Sequence, residues 1–175
     1  MNNEHTAVTI GKFDGVHQGH RELVKTMLAE GKDLKKVIFT FELLGSYNNV
    51  VSKKPIYSEE KKEEVFESLG IDYYVLLTLD EKLAAMEPEA FVKDILVDKL
   101  KCKLLVCGKD FRFGRNRAGD VEMLGLLASK YDFRLIAIEK KQYLGEDISS
   151  TRIRKALEAN EKEALDMLYG PCKNS

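Results

Sequence analysis

The stretch GKFDGVHQGHRELV, Gly11 to Val24, decides the fold class because it lies where an apolar strand gives way to a helix. Three glycines accompany two histidines, and the glycine at the helix start, Gly19, lets an anion approach the main chain. His17 and His20 are three residues apart, so both side chains lie near the first turn of the predicted helix. Donors from two imidazoles at a helix N-terminus suit a phosphate group. The stretch therefore predicts a phosphate-binding strand-to-helix turn.

Two other interpretations of the histidine pair stay open. A zinc site needs three or more protein ligands, and the other histidine, His5, is in the N-terminal tail. Histidines with satisfied hydrogen bonds and no chemical role are the second alternative. The spacing matches neither the Rossmann glycine fingerprint nor the P-loop, so it does not predict either nucleotide motif.

Short apolar runs and amphipathic stretches alternate along the chain, which predicts an α/β fold. The predicted strands are Thr6–Ile10, Lys36–Phe41, Tyr73–Thr78, Lys103–Cys107 and Phe133–Ile138. The predicted helices are Gly19–Glu30, Ser58–Leu69, Pro88–Leu100 and Asp120–Tyr131, followed by two short helices after a polar turn, KKQYLGED. Such runs suit buried parallel strands joined by right-handed crossovers. We expect a Rossmann-like, doubly wound, mainly parallel sheet of five to six strands, with ligand loops at 42–57 and 108–119.

Composition excludes several classes of protein. The 28 Lys and Arg against 29 Asp and Glu leave a net charge of −1, so we do not expect a general nucleic-acid binder. Cys102, Cys107 and Cys172 lack metal-ligand spacing, which favours free thiols in a reducing compartment. No apolar run is long enough to cross a membrane, and the N-terminus does not resemble a signal peptide. These features predict a cytoplasmic protein without a membrane partner.

A second candidate phosphate site is ISSTRIRKAL, which begins at Ile148. Ser149, Ser150 and Thr151 are typical helix-capping residues. Arg152 and Arg154 fall in the first turns, where a cation opposes the helix dipole and a bound anion would offset that cost. A capped surface helix with solvated arginines is the open alternative.

The third candidate is CGKDFRFGRNRAGD, which interleaves Phe111 and Phe113 with three arginines. Aromatic and basic residues together can bind single-stranded nucleic acid, so a noncatalytic nucleotide- or RNA-binding module is an open alternative. A flat aromatic ligand carrying phosphate would be served by the same residue types.

Together these segments resemble the FMN adenylyltransferase module of bacterial FAD synthetases, within the HxGH nucleotidyltransferase superfamily. The likeness lies in G-x-F-D-G-V-H-x-G-H, I-S-S-T-x-x-R and G-x-D-F-x-F-G…A-G-D, and covers roughly residues 5 to 170. It implies transfer of the adenylyl group of ATP to FMN, giving FAD and pyrophosphate, with Mg²⁺ accompanying ATP and no metal held by the protein alone. The resemblance implies catalytic roles for His17, His20 and Arg154. It implies ATP contacts from Gly11, Phe13, Asp14, Gly15, His17, Gly19, His20, Gly108, Ser149, Ser150, Thr151 and Arg154, and FMN contacts from Phe41, Tyr57, Asp110, Phe111 and Phe113.

The chain departs from the family pattern at two places. Where the family continues T-F-E-P-H-P, this sequence reads TFELLGS, with Leu43, Leu44 and Gly45 in place of Pro-His-Pro. Either extra apolar packing or a different phosphorylated acceptor explains this change. Asp147 stands where many members carry a basic residue. We expect residues 1–175 to form a single nucleotidyltransferase domain without a riboflavin kinase domain; the oligomeric state is not predicted.

Overall fold

The computed structural model describes residues 4–43 and 55–170. Its strands are Thr6–Ile10 (β1), Lys35–Leu43 (β2), Tyr73–Leu79 (β3), Cys102–Gly108 (β4), Arg134–Ile138 (β5), Gln142–Tyr143 (β6) and Glu146–Asp147 (β7). Its α-helices are Gln18–Glu30 (α1), Glu59–Ser68 (α2), Glu81–Ala84 (α3), Pro88–Ala90 (α4), Val121–Tyr131 (α5), Ser150–Glu158 (α6) and Lys162–Tyr169 (α7). A π-helical stretch, Phe91–Lys99, continues α4, and Arg115–Arg117 forms a 3₁₀ turn.

The five longer strands form one parallel sheet in the order β3-β2-β1-β4-β5. The chain winds outward from β1 to β3 and then returns to place β4 on the other side of β1. The order therefore reverses between β1 and β4, and in open α/β sheets the ligand binds at the carboxyl ends of the strands beside that reversal. The predicted doubly wound α/β fold is confirmed, with five strands in the sheet.

Apolar side chains fill both faces of the sheet, as the uninterrupted apolar runs predict. Alternate residues of β1 point to opposite faces: Val8 joins the core under the π-helical stretch and α5, and Ala7 joins the core under α1 and α2. A third cluster, which includes Ile153 and Met167, joins α6 to α7. Among the described helices, none combines the length and apolar character of a membrane span.

Three elements differ from the sequence prediction, and one of them, the four-residue helix α3, was not predicted at all. The helix expected over Pro88–Leu100 is α-helical only to Ala90, and its end is closed by a bond from the Leu100 N–H to the Ile95 carbonyl, five residues back. The polar turn KKQYLGED is a small antiparallel hairpin, β6–β7. Its tip has positive φ at Leu144 and Gly145 (53° and 79°), a conformation typical of two-residue hairpin turns. Strands of two residues are too short to leave a periodic signal.

Candidate active site

The candidate site lies at the carboxyl ends of β1 and β4, beside the reversal in strand order. Residues Gly11–His20, which we call the histidine loop, follow β1, and the segment 108–119 begins at the end of β4. The Gly11 N–H donates to the Phe39 carbonyl at 3.2 Å, so the loop leaves the sheet while still bonded to the neighbouring strand. Two of the predicted motifs therefore start from adjacent strands at the ligand-binding end of the sheet.

Backbone geometry in the histidine loop is unusual for its residue types. Phe13 and Val16 have φ of 48° and 41°, and both side chains are fully buried. Positive φ at a β-branched residue is a strained conformation, which costs on the order of 1–3 kcal/mol and persists only where surrounding packing enforces it. Gly15 has φ of 81°, and a Cβ there would lie 2.8 Å from Cγ2 of Ile56. The loop is thus held by apolar packing, and Phe13, predicted to contact ATP, is one of its anchors.

His17 is the N-cap of α1, and its Nδ1 accepts a hydrogen bond from the His20 backbone N–H at 3.4 Å. The two imidazoles stack with ring centroids 3.7 Å apart and planes inclined by 17°. On its other side His20 packs against Phe13, with centroids 4.8 Å apart. Because Nδ1 accepts, a neutral His17 carries its proton on Nε2, and it can donate from that atom. The structure therefore brings the two predicted catalytic histidines together.

Both histidines are neutral at physiological pH. Burial lowers the pKa of His17 to about 4, against smaller opposing effects of Asp14 and of a backbone hydrogen bond. Burial, then His17, then Lys62 hold the pKa of His20 well below its ordinary value. Neutral imidazoles offer one N–H donor each, so the pair provides directed hydrogen bonds without carrying positive charge.

The start of α6 meets the histidine loop. Ser149 caps the helix by accepting from the Arg152 N–H at 3.2 Å, and the Ser150 hydroxyl donates to the Asp14 carbonyl at 3.1 Å. The Arg154 guanidinium forms an ion pair with the Asp14 carboxylate, whose other oxygen accepts from the Ile56 N–H at 2.8 Å. The two predicted phosphate segments are therefore adjacent, although 136 residues separate Asp14 from Ser150. Thr151 is exposed in the first turn of α6.

The arginines of α6 bind protein groups: each guanidinium contacts carboxylate or carbonyl oxygens. Arg152 donates to the carbonyls of Tyr143 and Glu146 at 2.8 and 3.1 Å, and it lies 3.6 Å from a Glu163 carboxylate oxygen. Its guanidinium is also 5.7 Å from the centre of the Tyr143 ring. The alternative of solvated arginines is therefore wrong for Arg152, which fastens the β6–β7 hairpin to α6.

Helix α7 supports the site through residues that the sequence analysis did not identify. The Gln18 side chain, between the two histidines, donates to the Asp166 carbonyl. The buried Asp166 carboxylate accepts from the Tyr143 hydroxyl at 2.8 Å. Tyr57 and Tyr169 share a hydroxyl hydrogen bond of 2.6 Å. These bonds join segments that are 23 to 148 residues apart in sequence, so no local pattern predicts them. Only Gln18 could have been noticed in the sequence, as a polar residue between the two histidines of the motif.

The segment 108–119 divides into a buried part and an exposed part. Phe113 is 6% exposed and packs on Phe91, with centroids 5.8 Å apart, while Phe111 stacks on it at 5.6 Å and is less buried. Asp110 is exposed and pairs with Lys140 at 3.0 Å. Gly119 is packed so closely that a Cβ would lie 2.6 Å from the Phe113 ring. Phe113 therefore anchors this segment, and Asp110 and Phe111 offer its accessible surfaces.

The predicted FMN contacts fall into two groups. Phe41 packs on Phe91 at 6.3 Å, in the same cluster as Phe111 and Phe113. Tyr57 packs instead with α1, α2 and the α6–α7 cluster, on the other face of the sheet. Leu43 pairs with Leu79 at the end of β2, and the rest of the altered TFELLGS segment, Leu44 and Gly45, lies outside the described residues, as does Cys172.

An open cleft of about 650 Å³ borders this end of the sheet. It is lined mainly by charged residues after β4 and β5: Lys109, Asp110, Glu139, Lys140, Lys141, Gln142 and Asp147. Gly108 opens the segment beside this cleft, and a Cβ there would lie 2.8 Å from an Asp110 carboxylate oxygen. Within residues 4–43 and 55–170, no three His, Cys, Asp or Glu side chains are placed to hold a metal ion. The side chains present therefore do not form a protein-based metal cage.

Comparison with known proteins places these features in one family. The sequence model described as FAD synthetase matches residues 1–152. A bifunctional riboflavin kinase/FMN adenylyltransferase from Buchnera aphidicola is 36% identical over 173 residues, which cover 96% of this chain and 55% of the relative. A putative bifunctional riboflavin kinase/FMN adenylyltransferase from Geobacillus thermodenitrificans is 34% identical over 167 residues, which cover 94% and 89%.

A solved structure agrees over nearly the whole chain. A protein from Streptococcus pneumoniae, described as a macrolide-efflux protein, superposes with a TM-score of 0.83 at 27% identity, covering 98% of this chain and 58% of that one. The chain spans about half the length of several curated relatives. From the sequence match, the identity and the shared fold together, the chain belongs to the FAD synthetase family.

Proposed function

We propose that this chain transfers the adenylyl group of MgATP to FMN, giving FAD and pyrophosphate. The observation that carries the proposal is the meeting of the histidine loop with the start of α6, through the Ser150 hydroxyl and the Asp14–Arg154 ion pair, at the reversal of strand order. Two helix N-termini with neutral and cationic donors suit a triphosphate. Membership of the FAD synthetase family supports FMN as the acceptor.

The transfer is an in-line displacement at the α-phosphorus. A phosphate oxygen of FMN forms the new bond to phosphorus, the bond from that phosphorus to the bridging oxygen breaks, and the electron pair leaves with pyrophosphate. His17 donates from Nε2–H, and His20 stacked beside it offers a second N–H, to oxygens on which charge builds. Because both rings are neutral, they act by orientation and hydrogen bonding. The FMN phosphate attacks the α-phosphorus directly, so this mechanism has no covalent enzyme intermediate.

Arg154 is the cation that we assign to the triphosphate. In the structure it pairs with Asp14, and both side chains are largely buried, with 21% and 13% exposed. When the triphosphate binds, a phosphate oxygen takes the place of the Asp14 oxygen as the acceptor for Arg154. Guanidinium groups bind carboxylates and phosphates with similar geometry. Mg²⁺ enters as part of the MgATP substrate and neutralises phosphate charge, since the described side chains form no cage for it.

For the flavin we assign the aromatic group formed by Phe41 and Phe111, with Phe113 beneath them and Asp110 beside them. Asp110, which precedes Phe111 in the chain, also lines the open charged cleft after β4 and β5. Tyr57 lies with the α6–α7 cluster, so we assign it to support of the phosphate side rather than to the flavin.

A direct assay tests the proposal. The protein is incubated with MgATP and FMN, and products are separated by chromatography while pyrophosphate is measured. We expect equal amounts of FAD and pyrophosphate, and neither product when riboflavin, which lacks the phosphate nucleophile, replaces FMN. Absence of FAD, with pyrophosphate released for another phosphorylated acceptor, would overturn FMN as the acceptor and support the alternative raised by the altered segment after Phe41.

We also propose that the reaction takes place in a reducing compartment, the cytoplasm. Cys102 and Cys107 are free and buried, and burial raises the pKa of each thiol to about 12. Such thiols are unreactive and stabilise the core as small apolar groups. Nucleic acid is not an expected partner, because Phe113 is a core residue and Arg115 pairs with Glu87 at 2.6 Å.

A further inference from the structure

Lys62 is a buried lysine on the face of α2 that is turned toward the histidine loop. It is 7% exposed. Phe66, one turn later on the same face, meets the Phe13 ring edge-on at 5.8 Å, and Phe13 in turn packs on His20. Lys62 is also close enough to His20 to be one of the charges that lower its pKa. A buried lysine therefore lies on the helix face that packs, through Phe66 and Phe13, against His20.

The start of α2 lies at the ligand-binding end of the sheet. Ser58 caps the helix, and the Ile56 N–H just before it donates to Asp14 of the histidine loop. Lys62 ends the first turn of α2, where a cation opposes the helix dipole. Neither its burial nor its place in the helix favours a lysine here for stability.

Lys62 forms an ion pair with Glu59, which is the more exposed of the two residues. The Lys62 ammonium is 2.6 Å from one Glu59 oxygen, and the other oxygen accepts from the Tyr74 hydroxyl at 2.8 Å. The Lys62 side chain is 9% exposed and that of Glu59 is 47% exposed, so the lysine is the buried member of the pair. The adjacent Lys61 pairs with Glu64 across the same three-residue spacing, but both of those side chains are exposed.

Burial of the Lys62 side chain costs hydration energy, and an ion pair with the half-exposed Glu59 is a poor way to offset that cost. An anionic ligand changes this balance, because phosphate charge placed beside His20 attracts a nearby ammonium through a medium of low dielectric constant. We propose that Lys62 is a positioning residue of the transfer reaction, which adds fixed positive charge beside His20 to the phosphate-binding surface without touching the substrate. This inference rests on the proposed function, in that the transferred group is a phosphate.

The test compares Lys62→Met, Lys62→Arg and the matched control Lys61→Met. Methionine keeps the length of the apolar stem and removes the charged end. We expect Lys62→Met to lower kcat for FAD formation at least about tenfold, and to raise KM for MgATP less, since charge on the leaving pyrophosphate grows in the transition state. Lys62→Arg restores most of kcat, and Lys61→Met stays within about twofold of wild type.

A second measurement is independent of turnover. Pyrophosphate binding is measured by calorimetry without FMN, and we expect Lys62→Met to weaken it about tenfold while Lys61→Met leaves it unchanged. If the wild-type protein makes no FAD, the proposed function fails, and pyrophosphate affinity still decides the role of Lys62. Lys62→Gln provides the same test if Lys62→Met does not fold. Wild-type kcat and pyrophosphate affinity in the Lys62 variant would overturn the inference, as would a loss of kcat that follows loss of thermal stability and is not restored by arginine.

Discussion

Helices α1 and α6 begin at the same end of the molecule in the same way, yet they differ in the groups that they present. In each, the N-cap side chain accepts from the backbone N–H three residues later: His17 from His20 at 3.4 Å, and Ser149 from Arg152 at 3.2 Å. The start of α1 is buried among apolar rings and carries neutral imidazoles. The start of α6 carries arginines held by carboxylates and carbonyls.

This difference suits the two helix starts to two roles, stabilisation of the transition state at α1 and binding of the nucleotide at α6. Neutral donors fixed by packing keep their geometry during a reaction, and they lose no hydration when charge develops. An arginine that is paired before the ligand arrives can exchange one anionic partner for another, so it supplies affinity. We therefore expect changes at α1 to act mainly on kcat, and changes at α6 to act mainly on nucleotide affinity or on stability.

The largest expected effect comes from His17→Asn. Asparagine is a good N-cap residue and can still accept from the His20 N–H, so α1 keeps its start while the imidazole donor is lost. We expect kcat for FAD formation to fall about 10²- to 10³-fold, the usual loss for a donor to developing charge, with a smaller change in KM for MgATP. Steady-state kinetics measure both.

His5→Asn is the matched control, because His5 is exposed at the start of the described chain, at the opposite end of β1 from the loop. It should leave kcat within about twofold of wild type, as expected for a surface substitution away from the site. Equal activity of the His17 variant and the control would remove His17 from the mechanism and would leave α1 with only a structural role.

The next effect is on stability in acid. The pKa of His17 is about 4 in the folded protein and about 6.5 in an unfolded chain. Between these values the unfolded chain binds a proton that the folded chain does not, so the free energy of unfolding falls as the pH decreases from about 6.5 to about 4. The His17 contribution to this loss is about 3 kcal/mol at pH 4 and is absent above pH 7.

Urea unfolding at a series of pH values measures this slope. In His17→Asn the same titration should show a shallower decline, by about 3 kcal/mol between pH 7 and pH 4, because Asn does not titrate. Parallel curves for the two proteins would mean that folding does not lower the pKa of His17, so that α1 begins with a charged imidazole in acid.

The alternation of strands and helices could be predicted from the sequence, but the contacts that complete the site could not. Apolar runs such as Thr6–Ile10 and the spacing of the two histidines are local patterns, so the strands of the sheet and the start of α1 could be predicted from them. The Arg154–Asp14 pair joins residues 140 apart, and no local pattern reports such a contact. Phe113 was predicted at the flavin because of its motif, but its packing on Phe91 depends on the π-helical stretch.

The smallest effect separates the two arginines of α6. Arg154→Met should raise KM for MgATP about 10- to 100-fold with a smaller change in kcat, because it removes a charge-assisted hydrogen bond, worth about 1.5–3 kcal/mol, to the phosphates that we assign to this residue. It should also lower the free energy of unfolding, because the largely buried Asp14 carboxylate loses its cationic partner and keeps only the bond from the Ile56 N–H among those described above. Nucleotide titration and thermal unfolding give the two values.

Arg152→Met is the matched control on the same helix, and we expect it to act on stability rather than on nucleotide affinity. Arg152 donates to the Tyr143 and Glu146 carbonyls, so its loss should lower the free energy of unfolding by about 1–3 kcal/mol, through carbonyls left without a donor, while KM for MgATP changes less than in Arg154→Met. If both variants lose nucleotide affinity equally, the whole basic surface of α6 binds phosphate. If neither does, the Asp14–Arg154 pair is a structural link between the histidine loop and α6, and the charge for the triphosphate must come from elsewhere. Among the described residues, Lys62 is the buried lysine whose charge acts on His20.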